Sequence, residues 1–263
     1  MTLAPPTHRF ETDKAGTILY PVDNGEPLAN DTEHLRWITF LKNGLEDWFA
    51  DRDDVFVAAD LLWYPVEGRP DICKAPDVMV VLDHPAGDRP SYMQWLEKGR
   101  PPQVVFEFLS KSNTATEMME KLEFYAEYGC EEYYIFDYQR GTFRASRSHL
   151  RDGQLPKVNP NKDGTWSSPL LGVTFGLSED RKLWVRRADG KLVETQRQIV
   201  RRAEAEAKRA NIEAKRAEVE TKRAEAEAKR AEVEAKRAEA EAKRAEAFAN
   251  KLRELGIDPA GVV

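Results

Sequence analysis

Ala75-Pro-Asp-Val-Met-Val-Val81 and Gln103-Val-Val-Phe-Glu-Phe-Leu-Ser110 decide the fold of this chain. Both runs are apolar and rich in β-branched residues, as strands buried on both faces are. Each also holds one acid, Asp77 in the first and Glu107 in the second. Glu107 is the more telling, because an unpaired carboxylate inside an apolar strand is strongly disfavoured or stays protonated. Such a group has a partner or a job. A third apolar run, Tyr133-Tyr-Ile-Phe-Asp137, follows a segment carrying Glu117, Lys121 and Tyr125 at four-residue spacing, which is one face of a helix. Three buried strands thus bracket one amphipathic helix.

Outward from this centre the composition changes sharply. From about residue 196 to 253 the sequence is nearly all Ala, Glu, Lys and Arg, so the folded core lies upstream. Roughly 190 residues are ample for one buried core. The net charge of -6 does not mark the whole chain as a nucleic-acid binder. Cys73 and Cys130 have neither metal-knuckle nor redox-pair spacing, and free thiols in a reducing cytoplasm are expected. No basic start leads into an apolar run, and no stretch is apolar for the ~18 residues of a membrane span, so a cytoplasmic chain is expected.

Residues 1–30, rich in Pro, Gly, Asp and Asn, read as an irregular arm. Asp31 or Thr32 caps a helix that carries Leu35, Ile38, Leu41, Leu45, Trp48 and Phe49 at helical spacing to about Ala50. Residues 55–64 read as one strand and 76–82 as the next, and 83–102 as a long connection with one helical turn over 92–96. After the strand 103–109, Thr114-Ala-Thr-Glu117 is a capping box, and Gly129 stops the helix it opens at about Tyr128. Strands are expected at 132–138, 142–148, 170–175 and 182–187, with a turn at Asp189-Gly190. The order gives a mixed α/β sheet flanked by helices over about 31–190.

The tail, about 191–255 with 256–263 beyond it, is a different object. Ala203, Ala210, Ala217 and their successors to Ala245 recur every seven residues, and a second column runs from Ala207 to Ala242 with Thr221 in it. This is a heptad seam made of alanine. Glu204–Lys208, Glu218–Lys222 and Glu225–Lys229 sit four apart with Glu first, the favourable order. A helix of about 55–60 residues, near 85 Å long, is expected. Burying alanine yields little apolar area, so a lone helix and a coiled coil through 196–255 both remain open. Gly256 and Pro259 end it.

Asp77 and Glu107, near one end of neighbouring strands, are two hard oxygen donors. That set suits Mg²⁺, which keeps several waters of its own, and metal-bound water is a nucleophile for phosphodiesters. The pattern Pro76-Asp77, Val104-Val-Phe-Glu-Phe-Leu-Ser110, Lys121, Tyr125, Gly129 and Glu132-Tyr-Tyr-Ile-Phe-Asp137 resembles the Uma-type endonuclease family of the PD-(D/E)xK restriction-endonuclease-like superfamily. The likeness is specific over about 74–138 and weaker over 31–190, and the tail is similar to helices appended to some members.

The resemblance implies a restriction-endonuclease-like fold and hydrolysis of DNA with Mg²⁺ or Mn²⁺. Asp77 and Glu107 would be the metal ligands, and a homodimer would cut two strands. The superfamily places a lysine two residues after the acid, where this chain has Leu109, so the resemblance implies Lys121 as a migrated catalytic lysine. Glu117, where members commonly carry Asp, His34 on the first helix, and Tyr125 are accessory candidates.

The alternative readings are structural. Asp77 would be a solvated strand start, Glu107 a partner of Arg36 or Arg144, Glu117 a cap alone, Lys121 a surface partner of Glu117, and His34 an ordinary helix-face histidine. Arg140, Arg144, Arg147 and Arg151 fit either phosphate contacts or a solvated strand edge. The rival function is a binding or scaffold protein that has lost catalysis and works through its long helix. What separates the two is whether the Lys121 ammonium reaches the acids.

Overall fold

Each acid of the two decisive runs sits in the fold where strand alternation puts it. The computed structural model describes residues 10–23, 25, 27–148, 153–254 and 256, and divides into two units, Met1–Gln196 and Arg197–Val263. In the first unit, α1 spans Thr32–Trp48, with the Asp31 carboxylate accepting from the N–H groups of Glu33 and His34. The six-stranded sheet has the order β1 (Val55–Ala58), β3 (Val78–Leu82), β5 (Val104–Leu109), β6 (Glu132–Asp137), β7 (Thr142–Arg147) and β8 (Lys157–Val158). All neighbouring pairs are antiparallel except β5–β6, which is parallel and joined by the crossover helix α2 (Ala115–Glu127).

Alternation along β5 sorts the core. Val104, Phe106 and Phe108 face α1 and the small antiparallel sheet β11 (Leu183–Arg187), β10 (Val173–Leu177) and β9 (Trp166–Ser168), in a cluster with Leu41, Leu45, Phe175 and Val185. Val105 faces α2, in the second cluster with Trp63, Met79, Tyr125 and Tyr133. Glu107 belongs to the odd-numbered set, so its carboxylate points to the α2 side, and Leu109 packs there as well. Glu132, wholly buried at the start of β6, accepts from Ser168 and Tyr134 and pairs with Arg147 at 3.3 Å, which fastens the small sheet to the large one.

Several expected elements differ in extent. Residues 55–64 are not one strand: β1 stops at Ala58, Asp60 takes a left-handed conformation (φ 49°), and β2 (Trp63–Tyr64) restarts in a separate pair. The helical turn expected over 92–96 is instead β4 (Tyr92–Met93), parallel to β2, followed by turns. The strand expected at 170–175 is β10, which begins only at Val173 because Leu171 and Gly172 turn back onto Ser168. The capping box at Thr114 and Glu117 closes, and Gly129, at φ 103°, ends α2. Within 10–30, described in part, Tyr20 packs edge-on to Tyr64, whose hydroxyl donates to the Pro21 carbonyl.

In the second unit, α3 spans Gln196–Glu254, a single helix of 59 residues. Glu218–Lys222 closes at 2.6 Å as its spacing predicts, as do Glu232–Lys236 at 2.6 Å and Glu239–Lys243 at 2.7 Å, whereas among the described residues Glu204–Lys208 and Glu225–Lys229 form no ion pair. Pro259 and Arg151 lie outside the described residues. No described helix is long and apolar enough to cross a membrane.

Candidate active site

The antiparallel register Val78↔Phe106 is the last ladder pair between β3 and β5, and one step further sets Asp77 across from Glu107. There the side chain replaces the ladder. Asp77 Oδ2 accepts the Phe108 N–H at 2.6 Å, which holds the carboxylate against the peptide that follows Glu107. The same oxygen lies 3.0 Å from His34 Nε2. His34 Nδ1 accepts the Asn30 N–H at 3.2 Å, so the ring proton sits on Nε2 and is donated to Asp77. Burial works against charge on His34, and Asp77 outweighs it and raises the pKa. Asp31, whose other oxygen takes the Tyr138 hydroxyl at 2.9 Å, fixes the start of α1 that carries this histidine.

Glu107 is buried and doubly engaged. Lys121 Nζ donates to Oε2 at 2.7 Å and the Tyr125 hydroxyl donates to Oε1 at 2.6 Å, both from the face of α2 that the four-residue spacing marks. Burial pushes the Glu107 carboxyl up to about 7, with the Lys121 ammonium pulling against that rise. Burial disfavours the Lys121 cation too, but Glu107 and Asp77 hold it charged and raise its pKa. Tyr125 is pushed well up by burial and by Glu107, so its hydroxyl stays a donor. Neither Arg36 nor Arg144 is the partner of Glu107, and Lys121 is not a mere surface partner of Glu117.

Glu117 has other engagements. Asn113 Nδ2 donates to its Oε1 at 3.0 Å, and the Thr114 N–H completes the capping box. It lines the mouth of the site with both oxygens in use.

Asp77, Glu107, Lys121, His34 and Glu117 all line one cleft of about 590 Å³, with Asp60, Lys74, Asn30 and Ser112 among the other walls. Tyr125 stands behind Glu107, wholly buried. Asp60 is the residue that sequence reasoning passes over. Its N–H donates to the Pro76 carbonyl at 3.0 Å, which sets it beside the Asp77 strand. Burial and then Asp77 raise its carboxyl to about 6. The signal was present: like Glu107, Asp60 is an acid inside an apolar run. Of the arginines, Arg147 is taken by Glu132 and Arg140 lies 3.6 Å from Asp137; neither lines the cleft.

The family model described as "Putative restriction endonuclease", Uma2, matches residues 10–183. The chain belongs to the Uma2 family. No curated protein matches this member. A solved structure from Anabaena variabilis ATCC 29413, described as "a putative nuclease", is similar over 54% of this chain and 74% of that one, at 12% identity and a TM-score of 0.42. Within this Uma2 member, the family match spans all the cleft residues named above, from Asn30 to Lys121.

The donor set fits a hard divalent cation. Among the described residues no group of three or more His, Cys, Asp and Glu is placed to hold a metal ion, so the donors in question are the two acids, Asp77 and Glu107. Asp77 and Glu107 face one another at the end of two strands, with Asp60 nearby, and among the described residues no hydrogen bond reaches Asp77 Oδ1. Asp77 Oδ1 is open, and each Glu107 oxygen accepts one donor and keeps a second lone pair, which is compatible with a cation that retains waters and substrate oxygens. Burial raises the Asp60 and Glu107 carboxyls, Asp77 adds to both, and a dication beside them would favour their charged forms.

Proposed function

We propose that this Uma2 member hydrolyses phosphodiester bonds in DNA, with Asp77 and Glu107 holding Mg²⁺ (or Mn²⁺) and Lys121 acting on the reacting phosphate. The observation that carries the reading is the Lys121 ammonium 2.7 Å from Glu107 across a cleft that also holds Asp77. Lys121 thus supplies from α2 the cation that Leu109 cannot supply from β5. A bound cation would lower the pKa of the attacking water and offset charge on the phosphate. Lys121 would orient that water and stabilise charge developing on the phosphate oxygens, as fixed cationic donors do. Tyr125 fixes the Glu107 carboxylate from behind, and His34 and the Phe108 N–H fix Asp77. Preorganisation of this kind is what fixed donors and charges contribute to phosphoryl chemistry.

The scaffold rival loses support from the same contact, because it places Lys121 no nearer the acids than an ordinary surface lysine. The test is Mg²⁺- and Mn²⁺-dependent nicking of plasmid and single-stranded DNA by wild type beside Glu107→Ala, with metal binding measured by calorimetry. Metal-dependent nicking lost in the variant supports the reading. Folded wild type that neither binds metal nor cleaves overturns it in favour of the scaffold.

A further inference from the structure

Ile212, Val219 and Val233 are exposed large apolar side chains on α3, about half-exposed each, and they fall in one register of the heptad. Every heptad from Ala203 to Arg244 reads Ala-Glu-x-Glu-Ala-Lys-Arg, with Asn211 in one Glu position and Thr221 in one Ala position; x is Ala205, Ile212, Val219, Ala226, Val233 or Ala240. Every residue from Arg201 to Phe248 is exposed.

At ~103° per residue in a heptad geometry, the x column lies on the side of the helix opposite the two alanine columns. The alanine seam is bordered on both sides by Glu. The x column is bordered by Lys on one side and Arg on the other. The helix therefore carries an acidic face and a basic face back to back, although every heptad is neutral except 210–216, where Asn211 leaves one positive charge.

This register decides which partners fit. Two copies meeting through the alanine seams would set Glu against Glu along both borders, whether parallel or antiparallel, because both border positions hold Glu. Two copies meeting through the x columns would set Lys and Arg against Lys and Arg. The acidic face of one copy and the basic face of another are complementary at every heptad. Intrahelical pairing leaves much of that charge uncommitted. Lys222, Lys236 and Lys243 are tied to the Glu four residues before them. Among the described residues, Arg216, Arg223, Arg230 and Arg237 make no ion pair, and neither do Glu213, Glu220, Glu227 and Glu234.

We propose that α3 binds a second copy of this chain front to back, the Ile212/Val219/Val233 face with its Lys and Arg borders docking on the alanine–glutamate face of its neighbour. Such a contact uses different surfaces on the two copies and does not close on itself, so it continues to further copies. It is held by charge over a thin apolar seam and is therefore salt-sensitive.

The test is sedimentation velocity on the full chain over a concentration series at low salt and at about 1 M salt, where screening reaches within ~3 Å. The expected result is a weight-average mass that climbs past two chains at low salt and returns to one chain at high salt. Two variants make it decisive: an all-Glu→Lys change at 213, 220, 227 and 234, and an all-Arg→Glu change at 216, 223, 230 and 237. Each alone stays monomeric, and an equimolar mixture associates again, with circular dichroism confirming that the helix persists in both. A dimer that survives high salt, a wild type monomeric at every concentration in low salt, or a variant that still self-associates alone overturns the proposal. None of these outcomes depends on nuclease activity.

Discussion

Glu107 carries the most consequence of any single residue, because its two oxygens are committed to two different donors on one helix. Lys121→Met removes the ammonium, and cleavage is expected to fall about 10²–10³-fold with the melting temperature as the folding control. Tyr125→Phe leaves a buried acceptor unpaired, so it is expected to cost about 1–3 kcal/mol in denaturant unfolding. Asp60 behaves in the opposite sense. Its folded pKa is raised from 3.8 to about 6, so the native state keeps a proton that the unfolded chain has released. The stability linked to this group is complete below the unfolded value and is lost as pH rises through the folded one. Asp60→Asn is thus expected to raise the unfolding free energy near pH 7, by no more than about 1 kcal/mol for a partly exposed group, with the gain gone by about pH 4. Cleavage measured in parallel is expected to fall, since an acid of the cleft has been removed.

Among the elements, the connection between β3 and β5 is held by a part-buried cluster of ionisable side chains as well as by β4. His84 Nε2 lies 2.6 Å from Glu97, and Arg89 donates to the same carboxylate at 2.8 Å while covering the Phe56 ring at 4.2 Å. Burial works to raise the Glu97 carboxyl, but Arg89 and His84 outweigh it and hold it below its ordinary 4.5. The stabilisation is therefore present above that pH and lost as pH falls through the depressed value. Glu97→Gln is expected to cost about 1–2 kcal/mol near neutral pH. The difference from wild type should close in unfolding curves run below the ordinary carboxylate range. The spacing of acids and bases in this stretch was visible, but their convergence needed the loop to fold back on β1.

At the scale of the molecule, both hydrophobic clusters lie within the first unit, from Ile38 to Val193. Deleting residues 197–263 is expected to leave the cooperative melting transition and any cleavage of that unit in place. The 59-residue helix of the second unit has only exposed pairs such as Glu218–Lys222, worth a few tenths of a kcal/mol each. In calorimetry it should melt broadly and separately, without a sharp transition of its own.

The decisive strands, the α2 face bearing Glu117, Lys121 and Tyr125, the capping box, the Gly129 stop and the long alanine helix are all legible in the order of residues. Those features depend on local periodicity, backbone propensity and residues a few positions apart, which a linear reading contains. That reading also carried the likeness to the Uma-type family. Folding was needed to show that Lys121, not Arg36 or Arg144, meets Glu107, that His34 reaches Asp77 over 43 positions, and that 55–64 breaks at Asp60. The reason is physical: a buried carboxylate takes whichever donor packing brings within hydrogen-bond reach, and a strand's length is set by the neighbour it pairs with. Neither is written in the residues next to it.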